Sequence, residues 1–306
     1  MEWKAANEGA AGRGWLDMAD SSITVAVTGG SGKVGGQVAH RLAGRGVVQR
    51  IVAPRPERAP RLPGAEVAGA SYADRHAMQR ALDGVDTLFL VSGREASDRV
   101  RQHANAVDAA VAAGVERIVY LSFVGAGPKA TFTFARDHWH TEEYIRARGV
   151  RFTFVRDNMY QAMLPGFVGK DGCLRAPAGT GAVAAVAHDD VADAVTSVLL
   201  DEAHQAESYE LTGPEALTFA QIAKHLSEVT GRPIQYHPET LEEAYLSRST
   251  YDAHDWEVAG WVTSFQAIAT GELAEVTDTV RVLTGHPPMD FRDYLGRCPQ
   301  TYQHLV

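Results

Sequence analysis

Three glycines spaced three residues apart, Gly29, Gly32 and Gly35, stand in the run Thr28-Gly29-Gly30-Ser31-Gly32-Lys33-Val34-Gly35. A first glycine permits a tight turn, a second lets backbone approach a phosphate, and a third lets a helix pack closely on a strand. The run follows the apolar stretch Ile23-Thr24-Val25-Ala26-Val27 and opens a helix-like segment from Val34 to Leu42. Strand, glycine turn and helix in that order bring free N–H groups and the positive end of a helix dipole to one place, which suits a pyrophosphate. Gly29, Gly30, Ser31, Gly32, Lys33, Val34 and Gly35 are therefore the expected dinucleotide-binding residues. A glycine-rich turn without a ligand is the alternative.

The residues after the second strand bear on which dinucleotide. An NAD site of this kind has Asp or Glu about 20 residues beyond the turn, on the ribose 2′-hydroxyl. Here the strand ends Val52-Ala53-Pro54-Arg55-Pro56-Glu57-Arg58, without a carboxylate at its end. Arg41, Arg45, Arg50, Arg55, Arg58 and Arg61 surround it. A guanidinium can fork onto a 2′-phosphate, so NADP(H) is the expected cofactor. Arg55, stiffened by Pro54 and Pro56, is the preferred contact, with Arg58 less well placed; the other arginines read as a solvated face.

These residues need a scaffold. Strand-like and helix-like segments alternate from Ile23 to about Val155, which predicts an α/β fold, a doubly wound parallel sheet of the Rossmann kind. Further strands are expected at Val47 to Ala53, Ala65 to Ala68, Val85 to Val91, Arg117 to Ser122 and Arg151 to Val155. Helices are expected at Ala73 to Leu82, Asp98 to Ala113 and Ala135 to Arg148. Beyond them come a glycine- and proline-rich stretch and helices at Asp190 to Leu200 and Phe219 to Thr230, while Thr240 to Leu246 and Val258 to Ala269 are expected to build, with the tail, the smaller lobe. The expected organisation is an N-terminal extension (1–20), a dinucleotide-binding domain (21–157) and a smaller α+β lobe (158–306) interleaved with it, with a substrate cleft between them. Residues 1–17 read as a non-essential extension, with Met18 as a natural start.

The chain has 306 residues, 45% of them hydrophobic, and a formal net charge of −9. That charge argues against nucleic acid as a partner, and no apolar run is long enough to span a bilayer. Cys173 and Cys298 have no metal or redox spacing, which fits a reducing cytoplasm. The expected partner is a small-molecule substrate; a homodimer is left open.

The glycine turn is joined by Leu82-Asp83-Gly84-Val85-Asp86, Leu90-Val91-Ser92, Ala112-Ala113-Gly114-Val115-Glu116-Arg117 and Asp137-His138-Trp139-His140-Thr141-Glu142. Further on come Val155-Arg156-Asp157-Asn158-Met159-Tyr160, Tyr209-Glu210-Leu211-Thr212-Gly213-Pro214 and Leu283-Thr284-Gly285-His286-Pro287-Pro288. In these motifs the chain resembles the NmrA-like branch of atypical short-chain dehydrogenases, especially bacterial type 2 NAD(P)H:quinone oxidoreductases. Ordinary short-chain dehydrogenases use Tyr-x-x-x-Lys, the lysine lowering the tyrosine pKa. None of the five lysines here has a tyrosine four residues earlier, and Tyr144 with Arg148 reads as packing.

The resemblance implies catalytic candidates Ser122, His138 and Tyr160. Ser122 stands where such enzymes carry a serine. His138 stands where related quinone reductases have histidine, able to shuttle a proton near pH 7; a helix histidine satisfied by its neighbours is the alternative. His138 and His140 do not share a helix face, so no metal site is expected. Asn158, Met159 and Tyr160 are expected to wall the nicotinamide and substrate, with a capping role for Asn158 also open. Ser92, Gly93 and Arg94 should run beside the cofactor. Ser71 departs from the family's usual Asp, and His188-Asp189-Asp190 reads as a structural helix cap. The implied function is an NADPH-dependent reductase of a quinone or enone, with a biosynthetic ketone, imine or ether reductase and a non-catalytic NADP-binding redox sensor as alternatives.

Overall fold

The computed structural model describes residues 25–201 and 203–306. The expectations for the extension, for Met18 and for Ile23 fall outside them. The first half runs β1 (Val25–Thr28), α1 (Lys33–Gly44), β2 (Gln49–Ala53), β3 (Ala65–Gly69), α2 (Arg75–Ala81), β4 (Thr87–Val91), α3 (Arg99–Ala112), β5 (Arg117–Phe123), α4 (Thr133–Ala147) and β6 (Arg151–Asp157). The second half adds β7 (Cys173–Ala176), β8 (Ala182–Val183), α5 (His188–Leu200), β9 (Glu207–Leu211), β10 (Leu217–Thr218), α6 (Phe219–Thr230) and β11 (Gln235–Pro238). It closes with α7 (Leu241–Arg248), α8 (Asp255–Ala269), α9 (Thr279–Thr284) and α10 (Phe291–Arg297).

Seven strands form one parallel sheet in the order β3-β2-β1-β4-β5-β6-β9. The chain winds outward from β1 through β2 to β3, then returns to lay β4 on the other side of β1. The carboxyl ends of β1 and β4 thus flank the switch point where such sheets bind ligands. Both faces are covered. Val34, Val38 and Leu42 of α1 pack with Val191, Val195 and Val198 of α5 on one side. Met78 of α2, Val107 and Ala110 of α3 and Ile145 of α4 pack on the other. Strands buried on both faces explain the continuous apolar runs.

A separate core around Phe219, Ile222, Leu226, Phe265, Ile268, Phe291 and Leu295 builds the second lobe, edged by the small pairings β8 with β10 and β7 with β11. The halves interpenetrate, because α5 and β9 come from beyond residue 157 yet complete the main sheet and its cover. The reading of β6 also extends: the strand runs through Arg156 and Asp157, so these residues lie on the sheet edge and not in the loop after it.

Candidate active site

Gly29 has φ +64° and its carbonyl accepts the Gly32 N–H at 2.8 Å. A Cβ on Gly35 would lie 2.5 Å from the Gly29 carbonyl oxygen and 2.7 Å from that of Thr28. One on Gly30 would meet Ile51 Cγ2 at 2.3 Å. The helix therefore starts hard against the turn only because these positions lack side chains. Gly32 is the N-cap of α1, with no side-chain cap and no acidic residue in the first helical turn, the arrangement that suits an anion. Gly30, Ser31, Gly32 and Lys33 line a cleft together with Arg58 and Pro60. Val34 is buried in the core beneath and has only its backbone to offer a ligand.

Arg55 is exposed at the end of β2 and does not line this cleft, whereas Arg58 does. The intervening one-turn 3₁₀ helix Pro56–Arg58 carries the chain around, so Arg58, three residues on, comes back to face the turn. Arg41 is engaged by Asp193 and Asp189, and Arg50 by Glu66 and the carbonyls of Ala81 and Asp83. Arg58, and not the expected Arg55, is thus the arginine that lines the cleft beside the turn.

A second cavity, of about 200 Å³, opens at the carboxyl ends of β4, β5 and β6. Phe123, Phe132 and Phe134 give it an aromatic wall, each ring edge-on to the next with centroids 5.2 and 5.6 Å apart. Ser92, Asn158, Met159 and Tyr160 line it, together with Glu95, Arg99 and Asp157. The Tyr72 hydroxyl donates to the Val91 carbonyl at 2.6 Å and stands 2.7 Å from the Thr28 hydroxyl, and so pins the strand end between the two cavities.

A family model described as NmrA-like matches residues 21–253. The chain belongs to the NmrA-like family. It is 37% identical to a (4-alkanoyl-5-oxo-2,5-dihydrofuran-3-yl)methyl phosphate reductase of Streptomyces griseus, over 88% of this chain and 96% of that one. It is 30% identical to quinone oxidoreductase 2 of Escherichia coli, over 86% and 94% of the two chains. The crystal structure of the NADPH-dependent quinone oxidoreductase of Escherichia coli complexed with NADPH superposes with a TM-score of 0.82 at 28% identity, covering 90% of this chain and 99% of that one.

In this NmrA-like site Tyr160 is doubly held. Its hydroxyl donates to Asp157 Oδ2, and its ring stacks on His188 at 3.8 Å with planes 9° apart. Burial and the adjacent carboxyl push the phenol far above its usual range, and the two contacts fix its orientation. Asp157 is 5% exposed, and burial raises its carboxyl to about 7. His188 is lowered to about 4 by burial and then by the Lys33 ammonium, which links this wall electrostatically to the glycine turn. The cap reading of His188-Asp189-Asp190 gives way: Ala187 is the N-cap of α5, Asp189 binds Arg41, and Asp190 accepts the Met289 N–H.

His138 lines the cavity, buried, with Nε2 3.0 Å from Arg99 Nη2 and Nδ1 3.0 Å from the Tyr120 hydroxyl. A guanidinium only donates, so Nε2 accepts and Nδ1 carries the proton. Burial, then Arg99, holds the ring well below its usual pKa. The expected proton shuttle is corrected to a neutral imidazole that receives Arg99. His140, two residues on, is exposed. Ser122 is also corrected: it is fully buried, donates to Glu142 Oε1 at 2.6 Å and does not line the cavity. Asn158 uses both ends of its amide, on Leu273 O and on the Met159 N–H, which ties the second lobe to β6. Gly93 donates to His103 and accepts from Arg99 Nε, while Arg94 is exposed beyond it.

Arg99 lies outside the sequence motifs, and Asp157 stands in one of them without a role of its own. A signal existed for Arg99: it is a cation in the first turn of α3, where the helix dipole disfavours one.

Proposed function

We propose that this NmrA-like protein reduces a small, flat, conjugated carbonyl compound, a quinone or an enone, with NADPH. It is an NAD(P)H-dependent oxidoreductase. The reading is carried by the aromatic-walled cavity, which sets a buried guanidinium beside a neutral histidine where a Tyr-x-x-x-Lys pair would otherwise act. The two relatives named above share one chemistry in their names, a carbon–carbon double bond conjugated with a carbonyl. Such acceptors delocalise the incoming charge and need little acid assistance. The ketone, imine or ether alternative needs an acid at His138, whose ring is held neutral.

NADPH, when bound, supplies the hydride. The start of α1 and Lys33 would hold its pyrophosphate, and Arg58 would receive the 2′-phosphate. Phe123, Phe132 and Phe134 exclude water and keep the acceptor flat, while Tyr160, clamped by His188 and Asp157, closes the opposite wall. Mixing protein, NADPH and a panel of quinones and enones, with the absorbance of reduced cofactor followed, is expected to show turnover on conjugated acceptors and little on isolated ketones. Tight NADPH binding with no oxidation across the panel overturns the reading in favour of a redox sensor.

Arg58→Ala should weaken NADPH by roughly ten- to a hundredfold relative to NADH, since a charge-assisted bond is worth about 1.5–3 kcal/mol. Arg55→Ala should leave the ratio of the two dissociation constants within about twofold. Calorimetric titration of both variants with both cofactors checks this; the opposite pattern returns the contact to Arg55.

A further inference from the structure

Arg99 is 6% exposed and lines the substrate cavity. Two of its three nitrogens are committed: Nε donates to the Gly93 carbonyl at 3.0 Å and Nη2 donates to His138 Nε2 at 3.0 Å. Nη1 is buried without a hydrogen-bond partner among the described residues. The nearest carboxylate oxygen recorded for it, Asp137 Oδ2, stands 3.9 Å away, beyond hydrogen-bond reach. A buried donor left unmet on a charged group is costly, and His138, Tyr120 and Gly93 form a frame that fixes where it stands.

We propose that Arg99 Nη1 receives the carbonyl oxygen of the acceptor and holds the oxyanion created by hydride transfer. This rests on the conjugated-carbonyl reading. The hydride, with its electron pair, leaves the reduced nicotinamide, which is thereby oxidised, and forms a new C–H bond at the conjugated carbon of an enone, or a new O–H bond at one carbonyl oxygen of a quinone, whose other oxygen then takes the charge. The acceptor's π pair moves onto the carbonyl oxygen, which becomes an enolate or phenolate under Arg99. A proton from water then completes the reduced product and leaves the guanidinium charged throughout.

The geometry favours this single developing charge over a phosphate or carboxylate substituent. Recognition of such a group is a two-pronged fork, and one of the two outer nitrogens of Arg99 is already held by His138 Nε2. Glu95 and Asp157 also line the cavity and Asp137 lies beside the guanidinium, a setting that repels a dianion. Neutral His138 serves as a positioning residue, because its lone pair at Nε2 anchors the neighbouring Nη2.

The test compares wild type, Arg99→Lys and Arg99→Gln, each loaded with NADP⁺ or NADPH. 4-Nitrophenol serves as a probe that mimics the oxyanion and reports its own ionisation by absorbance. Wild type should bind it as the phenolate and lower its apparent pKa; Arg99→Gln should abolish that shift, and Arg99→Lys should restore part of it. With a neutral quinone or enone, Arg99→Gln should lose kcat by about 10²–10³-fold with KM and the NADPH dissociation constant little changed, since the oxyanion exists only beyond the ground state. An unshifted nitrophenol pKa in wild type overturns the proposal, as does a variant that keeps kcat within about threefold. So does a loss confined to the KM of phosphate-bearing acceptors, which would make Arg99 an anchor for a substituent. If no conjugated carbonyl is reduced by wild type but the probe still ionises at Arg99, the broader functional reading fails while the oxyanion site stands.

Discussion

Glu142→Ala should lower the free energy of unfolding by about 3–5 kcal/mol, the range for breaking a buried ion pair from one side. Glu142 is fully buried on α4. Arg156 of β6 forks onto it, Nε to Oε1 at 2.8 Å and Nη2 to Oε2 at 2.7 Å, and Ser122 of β5 donates to the same Oε1. One carboxylate thus staples a helix across two strands. Its removal leaves a half-buried guanidinium and a buried hydroxyl without their acceptor, and Glu210, 3.5 Å from Arg156, compensates only weakly. Because α4 also carries Phe134 and His138, the cavity should loosen as well. Urea unfolding of both proteins measures the effect; a loss below about 1 kcal/mol contradicts it.

Asp157 gives the second large effect, and it appears as a dependence on pH. An unfolded Asp ionises near 3.9, whereas burial holds the folded carboxyl at about 7. Between these values the folded protein binds the extra proton, so stability is full below about pH 4 and falls as pH rises through 7. Three units correspond to on the order of 4 kcal/mol. Asn at this position keeps an acceptor for the Tyr160 hydroxyl but cannot ionise. Asp157→Asn should therefore flatten the decline between pH 5 and 8 and stand more stable than wild type at pH 8. Denaturant unfolding of the cofactor-free proteins across that range decides it. Other groups titrate alike in both, so parallel curves would refute the assignment.

Local periodicity made most of the scaffold legible. Phe219–Thr230 matches its helix at both ends, and α2 starts after Asp74, whose side chain accepts the Ala77 N–H. The strand expected from Val47 begins two residues later, at Gln49, because apolar character does not show that Val47 donates to Leu42 in the helix stop. β9 went unread since Glu207-Ser208-Tyr209-Glu210-Leu211 lacks the apolar run of its neighbours, as an edge strand does. The glycine turn was readable because its constraint is steric and local. The substrate side was not, because each role depends on a partner from another element: Glu142 twenty residues beyond Ser122, Arg99 thirty-nine before His138. The family resemblance marks Ser122 and His138 as reactive, whereas in the fold Ser122 donates to Glu142 and His138 accepts from Arg99.

The seventh strand has a consequence for synthesis. β6 is covered by β9 alone on its outer side, in register from Thr153↔Glu207 to Asp157↔Leu211. A ribosome that has just released Asp157 still has the next half-hundred residues to make, about 3–11 seconds at 5–20 residues per second. Throughout that interval the nascent sheet offers a row of unpaired amides along an apolar strand, a template for a neighbouring chain on the same messenger. When Leu211 arrives, the edge is replaced by one bearing Glu207 and Glu210, whose charges repel further strands. The vulnerable species is thus a translation intermediate, and slow codons between residues 158 and 211 would lengthen its exposure without altering a single contact of the finished protein.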